Sequence, residues 1–163
     1  MSVSLISDIL CDELCQQYSH EKYNANFYLV IAGFLKNKGL DKLAKIMEDQ
    51  HDEEIKHSLM IYEFLTNMNS PFTAREVDLV ELDIFTITDI SEAYLDRELV
   101  TTQDLTDIKL LCIQENNSVA EEFLRKMIQL QENELAEAST FKDNADLTGN
   151  DWWKVKVWND SLS

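Results

Sequence analysis

The chain has 163 residues and a formal net charge of −17, from 14 basic and 31 acidic side chains. This length suits one domain with a real hydrophobic core, and the single proline and three glycines favour long, uninterrupted helices. The acidic balance argues against nucleic acid and anionic membranes as partners, because their phosphate groups would repel the surface, whereas cations would be attracted.

Neither a transmembrane run nor a signal peptide is predicted, because the N-terminus (Met1 to Ser4) lacks a basic segment and a long apolar segment. Cys11, Cys15 and Cys112 are too few and too scattered for a disulfide scaffold. We therefore expect a cytoplasmic protein with buried, reduced thiols. Cys11 and Cys15 lie four residues apart on one helix face, which leaves a soft metal pair as the alternative.

The first two predicted helices form a hairpin. The first runs from about Ile6 to Lys36, and its inward column has a period of seven that is typical of bundle packing: Leu14, Glu21, Tyr28 and Leu35. Glu21 is a carboxylate at a position that favours leucine. Gly39 is free to take a left-handed cap, and the second helix follows from about Leu40 to Met68. Such a short connection makes the two helices antiparallel neighbours.

Residues 72–88 alternate apolar and polar side chains, which a β-strand would explain. The other interpretation is an extended crossover that spans the bundle, since no second strand candidate nearby could pair with this segment. Long crossovers are one known way to connect the helices of a four-helix bundle.

The last two predicted helices form a second hairpin. The third helix starts near Asp89 or Ser91, either of which is a plausible N-cap, and ends near Glu115 with Glu98 on its apolar face. The fourth helix follows the turn at residues 116–118 and ends near Asp143. Its inward face includes Gln131 and Glu134.

The tail differs in pattern from the helices. Trp153, Val155 and Val157 alternate with Lys154 and Lys156, which is a strand-like period. We therefore expect one bundle domain over residues 1–145 and a tail over residues 146–163 that packs on the outside of the bundle or on a neighbouring subunit.

A Glu-x-x-His pair, Glu54 and His57, lies in the second helix, and its two side chains leave the same face about one turn apart. That face is otherwise apolar, so both side chains should point into the core. A buried carboxylate next to a buried imidazole is costly unless each has a partner, and a metal cation is the usual partner.

The polar residues of the two hairpins match at fixed spacing. Glu21 and Glu54 are 33 residues apart, as are Glu98 and Gln131, and a shift of 77 residues superposes the first hairpin on the second. The same shift places His57 on Glu134. Two antiparallel hairpins related in this way bring all six side chains to one level of the bundle, which is the geometry of a di-iron carboxylate site. The alternative is a structural polar layer, in which an inward Glu pairs with Arg97 or Lys56.

The chain resembles bacterial non-haem ferritins over about residues 8–145. The runs that carry the resemblance are Glu21 to Leu29, with a tyrosine seven residues after the glutamate, and Glu53 to His57, while Glu98, Gln131 and Glu134 fall at the family's spacings. The resemblance implies an all-α, ferritin-like up-down-down-up four-helix bundle with a long crossover between the second and third helices. The Gln131-x-x-Glu134 pair argues against bacterioferritins and rubrerythrins, which carry a second Glu-x-x-His, so no haem is expected.

By this resemblance, Glu21, Glu54 and His57 would hold one iron, and Glu54, as a bridge, would hold a second with Glu98 and Glu134. Gln131 would hydrogen-bond near the open coordination positions, and Tyr28 would lie beside the first iron as a candidate electron donor. Mixed carboxylate and imidazole ligands suit Fe(II). The implied function is an iron-storage ferroxidase that oxidises Fe(II) with O₂ or H₂O₂ and stores ferric mineral in a 24-subunit homo-oligomeric shell.

The sequence departs from the family at two places. A third iron site would use Glu53, but Leu130 and Asn133 stand where the family has carboxylates on the fourth helix, so we expect that site to be absent or weak. The family's tail normally ends in a short helix at the fourfold axis of the shell. Residues 152–158 are not predicted to form that helix.

Two other functions fit parts of the sequence. One is a ferritin-like di-metal oxygenase or peroxidase that forms a small oligomer and stores no mineral. The other is a metal-free helical interaction protein, which would bind no stoichiometric iron.

Overall fold

The computed structural model describes residues 3–163, which form five α-helices and no β-strand. Met1 and Ser2, the first residues of the stretch in which no signal peptide is predicted, lie outside the described residues. The helices are α1 (Asp8–Asn37), α2 (Asp41–Asn67), α3 (Ile87–Gln114), α4 (Ser118–Thr148) and α5 (Trp152–Ser161). None of these five helices is long and apolar enough to cross a membrane. The prediction of an all-α chain is confirmed.

The first four helices form the bundle. Gly39 has a φ of 73° in the tight turn between α1 and α2, which makes these helices antiparallel neighbours. Three contacts between α1 and α3 show that these two helices are also antiparallel, because the residue numbers rise on one as they fall on the other: His20 with Asp104, Asn24 with Thr101, and Tyr28 with Glu98. The up-down-down-up arrangement is therefore confirmed.

An extended crossover connects α2 to α3. The Cys11 and Ser19 side chains on α1 contact its backbone, with Cys11 Sγ 3.2 Å from the Pro71 carbonyl oxygen and Ser19 Oγ 3.4 Å from that of Arg75. Phe72 packs edge-on against Tyr18, with ring centroids 4.8 Å apart. The crossover interpretation of residues 72–88 is correct and the strand interpretation is wrong, because no neighbouring extended segment in the described chain offers backbone partners.

Two helix ends differ from the predictions. The N-cap of α3 is Thr86, whose side chain accepts from the Asp89 amide while the Asp89 carboxylate accepts from the Thr86 amide at 2.9 Å. Asp89 therefore completes a capping box and is not the N-cap, and neither is Ser91. Helix α4 continues to Thr148, where the left-handed Gly149 ends it, so the predicted boundary at residue 145 falls inside this helix.

The tail forms helix α5, so the strand-like interpretation of residues 152–158 was wrong. The alternation covered too few residues to separate a period of two from a helical face. As a helix, the segment buries Val155 and Asn159, which lie one turn apart, and leaves Trp153 and Val157 exposed. The Trp158 ring lies 5.0 Å from the Phe141 ring, so α5 packs against α4.

The bundle has two hydrophobic clusters, one toward each end. The first surrounds Tyr28, Leu35, Leu43 and Phe141, and the second surrounds Leu14, Leu65, Leu105 and Leu124. Between them lies a layer of buried polar residues contributed by all four bundle helices: Glu21, Asn24, Glu54, His57, Glu98, Thr101, Gln131 and Glu134. The fold thus holds these polar side chains between two apolar blocks, away from bulk water.

Candidate metal centre

The polar layer contains every metal ligand proposed from the sequence. Each of these side chains is almost fully buried, with exposed fractions of 0% for Glu21, Glu54 and Gln131, 1% for Glu98, 4% for His57 and 6% for Glu134. Only His57 and Glu134 therefore retain more than a trace of solvent contact. Any ion that reaches the layer without unfolding the bundle would approach from their side.

Two groups of three ligands form within the layer, and Glu54 belongs to both. The ligand atoms of Glu21, Glu54 and His57 lie within 4.8 Å of one another, as do those of Glu54, Glu98 and Glu134. A bound ion lies about 2.0–2.2 Å from carboxylate oxygens and imidazole nitrogens, so small side-chain shifts suffice to close each group on one ion. The geometry fits two neighbouring cations with Glu54 between them.

The imidazole of His57 lies between two carboxylates. Its Nδ1 atom is 3.8 Å from Glu54 Oε2, and its Nε2 atom is 3.5 Å from Glu134 Oε1. Each ring nitrogen of His57 therefore faces a different carboxylate, Nδ1 that of Glu54 and Nε2 that of Glu134.

Neither basic side chain considered from the sequence pairs with the inward carboxylates. Lys56 Nζ lies 2.9 Å from the Glu53 carboxylate, and the Arg97 guanidinium lies over the Tyr23 ring, 5.3 Å from its centroid. Among residues 3–163, no lysine or arginine forms an ion pair with Glu21, Glu54, Glu98 or Glu134. The polar layer therefore lacks the lysine or arginine partner that the structural alternative named.

Burial changes the acidity of these carboxyl groups. Desolvation, followed by the charges of Glu98 and Glu21, raises the pKa of Glu134 to about 9. Desolvation is also the main cause that raises the pKa of Glu54 to about 8. The pKa values of Glu21 and Glu98 are raised for the same reason, although hydrogen bonds from Tyr28 and Gln131 oppose the shift at Glu98. The metal-free layer therefore holds protons that a bound cation would displace.

Several acceptor atoms in the layer have no hydrogen-bond donor. Glu54 Oε1, Glu134 Oε2 and Gln131 Oε1 are buried and unpartnered in the described structure. Buried acceptors without donors are costly, and a cation satisfies them directly. The donor set of four carboxylates, one imidazole and one amide oxygen fits a first-row divalent ion such as Fe(II).

Tyr28 and Gln131 both contact Glu98. The Tyr28 hydroxyl donates a hydrogen bond to Glu98 Oε1, and Gln131 Nε2 donates to Glu98 Oε2 and, at 3.2 Å, to the Glu98 carbonyl oxygen. The hydroxyl of Tyr28 therefore contacts a carboxylate of the group formed by Glu54, Glu98 and Glu134. Together the two donors fix the orientation of the Glu98 carboxylate.

Two polar residues that the sequence interpretation overlooked complete the layer. Asn24 Nδ2 lies 3.5 Å from oxygens of both Glu21 and Glu54, and it donates to Thr101 Oγ1 at 3.0 Å. A detectable signal was present, since the 77-residue shift that relates the two hairpins also superposes Asn24 on Thr101. It was missed because neither side chain is a usual metal ligand.

Glu53 lies at the edge of the centre. One carboxylate oxygen of Glu53 lies within 4.8 Å of ligand atoms of His57 and Glu134. His57 also belongs to the triad of Glu21 and Glu54, and Glu134 also belongs to the triad of Glu54 and Glu98. Leu130 and Asn133, at the positions where the family has carboxylates, line a cavity of the bundle together with Glu53, His57 and Glu134.

Comparisons with known proteins agree with this architecture. The family described as the ferritin-like domain matches residues 11–148. Ferritin BfrB of Mycolicibacterium smegmatis is 25% identical over 129 residues, which are 79% of this chain and 71% of that protein.

Solved structures give the same fold. An open pore ferritin from the hyperthermophilic archaeon Archaeoglobus fulgidus superposes with a TM-score of 0.93 at 22% identity, covering 99% of this chain and 98% of that one. An engineered closed form of the A. fulgidus ferritin has a TM-score of 0.88 at 23% identity, covering 97% and 96% of the two chains. Since the family match spans most of the sequence, the chain belongs to the ferritin-like domain family.

Proposed function

We propose that this protein is an iron-storage ferroxidase, which oxidises Fe(II) to Fe(III) with O₂ or H₂O₂ and stores the product as ferric mineral in an oligomeric shell. The observation that carries the proposal is the pair of buried triads that share Glu54 in a layer without a compensating lysine or arginine. Family membership supports iron storage in general. The ligand assignments are our inference for this chain.

In this proposal two iron ions bind in each subunit as substrate. Glu21, Glu54 and His57 hold the first ion, and Glu54, Glu98 and Glu134 hold the second. Sharing one carboxylate keeps the ions close enough for a single oxidant to accept an electron from each. Fe(III) prefers hard anionic oxygen ligands, so a site with four carboxylates favours the oxidised product.

The electrons and protons of the reaction balance without a further cofactor. Each Fe(II) gives up one electron, so two ions reduce one O₂ and two protons to H₂O₂, or one H₂O₂ and two protons to two water molecules. Iron binding displaces protons from the carboxyl groups of Glu54 and Glu134, whose pKa values are raised by burial, and these groups are a local proton source.

Tyr28 and Gln131 have supporting roles in the proposed reaction. Both hold Glu98 through hydrogen bonds to its carboxylate, which keeps a ligand of the second ion in place. Tyr28 is also a candidate electron donor to the oxidant. We expect Tyr28→Phe to slow oxidation or alter its products without preventing iron binding.

Iron access is proposed between α2 and α4. His57 and Glu134 are the two ligands with some solvent contact, and both line a cavity of about 710 Å³ on this side of the bundle. Glu53 lies in the same cavity. We propose that Glu53 does not retain a third iron, because Leu130 and Asn133 supply no further anionic ligand.

The storage part of the proposal requires a closed or nearly closed assembly, for which we propose 24 copies. Helix surfaces that point away from the bundle core carry exposed apolar side chains that a neighbouring subunit could cover: Leu29, Val30, Leu59, Tyr62, Leu99 and Val100. Two of the similar structures are described as an open pore ferritin and an engineered closed form. On α5, Trp153 and Val157 are also exposed.

Aerobic iron loading followed by size-exclusion chromatography tests the function as a whole. We expect a particle of several hundred kilodaltons that retains many more iron atoms than the two held at each metal centre. A small oligomer that binds two irons per subunit and no mineral would instead indicate a di-metal oxygenase or peroxidase. A protein without stoichiometric iron would indicate a metal-free interaction protein.

A further inference from the structure

The cavity between α2 and α4 is larger than passage of a metal ion requires. Its volume of about 710 Å³ falls in the range of pockets that hold small organic molecules. One end is formed by His57 and Glu134, and the other by Phe141, Trp158 and Leu162. The cavity therefore joins the edge of the metal centre to an apolar region beneath α5.

Two buried polar atoms in this cavity have no partner. Gln50, which is 4% exposed, donates from Nε2 to the Glu137 carboxylate at 2.9 Å, but its Oε1 atom has no donor. Tyr94 is fully buried, and its hydroxyl oxygen is also unpartnered. Both residues line the cavity, so a ligand with N–H donors could donate to Gln50 Oε1 and to the Tyr94 hydroxyl oxygen.

The charge of the cavity indicates the sign of the ligand. Of the four acidic side chains that line it, Asp49 pairs with Lys45 and Glu53 pairs with Lys56, whereas the exposed Glu137 forms no ion pair in the described structure. The residues lining the cavity include neither lysine nor arginine. A cation is therefore favoured and an anion is repelled.

The apolar end distinguishes an organic cation from a hydrated metal ion. The rings of Phe141 and Trp158 lie 5.0 Å apart and line the cavity, as does the side chain of Ile46. A hydrated metal ion gains nothing from such a wall, whereas the hydrocarbon part of an amine buries apolar surface there and its charge is attracted to the ring faces.

We propose that this cavity binds an organic ammonium ion, with the ammonium group near Gln50 and Glu137 and the hydrocarbon part against Phe141 and Trp158. The proposal concerns binding and does not depend on iron oxidation. A bound amine would occupy the cavity through which we propose that metal reaches His57 and Glu134, and would thereby slow the entry of metal.

Isothermal titration of the metal-free protein with 2-phenylethylammonium tests the proposal, using about 0.15 M salt to screen weak adsorption to the acidic surface. The neutral analogue 2-phenylethanol has the same shape without the charge, and Mg²⁺ has charge without the apolar part. We expect the amine to bind with one site per subunit and about tenfold more tightly than 2-phenylethanol, with Mg²⁺ failing to displace it at equal ionic strength.

Matched variants locate the site. We expect Glu137→Gln and Trp158→Leu each to weaken amine binding by about fivefold to tenfold. Glu132→Gln changes an exposed glutamate of α4 outside the cavity, and Trp153→Leu changes an exposed tryptophan of α5, so both should bind like the parent protein. If Trp158→Leu loosens α5, Glu137→Gln still tests the site, because Glu137 is an exposed side chain on α4.

Three results would overturn the proposal. They are equal binding of 2-phenylethanol, complete displacement by Mg²⁺, and equal loss of affinity in the cavity variants and their controls. A separate readout is the rate of Co(II) uptake, followed by its visible absorbance. Saturating amine should slow this rate several-fold, and an unchanged rate would contradict the proposed obstruction of this metal route.

Discussion

Glu54 supplies an oxygen atom to both ligand triads, and no other residue belongs to the two triads centred on Glu21 and Glu98. Glu54 and His57 are three residues apart in α2, so their side chains leave the same buried face of this helix and point toward the second hairpin. Removing Glu54 would therefore weaken both proposed iron sites together, whereas removing a ligand of one triad would weaken only one site.

We therefore predict that Glu54→Ala lowers the initial rate of Fe(II) oxidation by about a hundredfold or more, because each ion loses a ligand. Stopped-flow absorbance with two Fe(II) per subunit measures this rate. Glu53→Ala, which removes the neighbouring and partly exposed carboxylate, is the matched control and should retain most of the rate. Oxidation by Glu54→Ala at the parent rate would show that this centre is not the catalyst.

Thr101 sets the orientation of the Asn24 amide. Its hydroxyl donates to the Arg97 carbonyl at 3.0 Å, so the hydroxyl oxygen can only accept from Asn24 Nδ2. This arrangement turns the NH₂ group of Asn24 toward Glu21 and Glu54. Thr101 is thus a positioning residue that acts on the ligands through Asn24.

We predict that Thr101→Val weakens Co(II) binding by about tenfold and alters the visible spectrum of bound Co(II), because the Asn24 amide loses the acceptor that fixes it. Valine keeps the shape of threonine, so the core should not change. Thr101→Ser should restore the spectrum. Thr106→Val, which removes a hydroxyl bonded only within α3, is the control and should leave Co(II) binding unchanged. An unchanged spectrum in Thr101→Val would argue against a positioning role.

At the scale of elements, a side chain of α5 caps the N-terminus of α2. The N-cap position of α2, Leu40, provides no side-chain hydrogen bond. Instead, the Asn159 side chain of α5 accepts from the backbone amides of Lys42 and Leu43, each at 3.0 Å. Asn159 is only 3% exposed, so these bonds are shielded from water. The tail thus satisfies two amides that α2 cannot satisfy by itself.

We predict that Asn159→Ala lowers the free energy of unfolding by about 1–2 kcal/mol, the usual cost of losing a helix cap. Urea unfolding monitored by circular dichroism measures this change. Asn159→Asp should keep part of this stability, because a carboxylate accepts the same two bonds at a helix N-terminus, although it loses the bond that Asn159 Nδ2 donates to Asp160 Oδ1 at 3.0 Å. Equal destabilisation by both substitutions would mean that packing of Asn159, and not the cap, is responsible.

At the scale of the whole molecule, the bundle consists of two apolar clusters separated by a polar layer. The clusters supply the packing, and the layer lowers stability whenever its carboxyl groups ionise without a cation. Glu54 and Glu134 have pKa values of about 8 and about 9 in the folded protein, compared with an ordinary value of 4.5. The folded state therefore binds more protons than the unfolded state between those values.

We predict that the metal-free protein loses stability as pH rises from about 5 to about 9, by a few kcal/mol, and that bound divalent metal reduces this loss. A carboxyl group whose pKa is raised on folding stabilises the folded state fully at a pH below its unfolded pKa of 4.5. This stabilisation is lost as the pH rises through its folded pKa of about 8 for Glu54 or about 9 for Glu134. Urea unfolding at several pH values measures the slope. Glu54→Gln should flatten it, whereas Glu53→Gln should not, and stability that rises over this interval would contradict the prediction.

Local patterns in the sequence determined most of the bundle. The seven-residue period predicts the long helices, and the short turn at Gly39 requires two of them to be antiparallel. The 33- and 77-residue spacings bring Glu21, Glu54, Glu98 and Glu134 to one level, because position along a helix is fixed by residue number. The candidate ligands could therefore be predicted before their contacts were known.

Other features depended on contacts between distant residues, and only the tertiary structure decided them. The tail forms α5 because, as a helix, it buries Val155 against the bundle and brings the Asn159 side chain to the N-terminus of α2. The alternating pattern of the tail contains no information about either contact. The direction of the Tyr28 hydroxyl, the Asn24–Thr101 bond and the cavity between α2 and α4 likewise depend on how the helices rotate and separate. Periodicity fixes which residues share a face, but packing between helices decides which atoms meet across it.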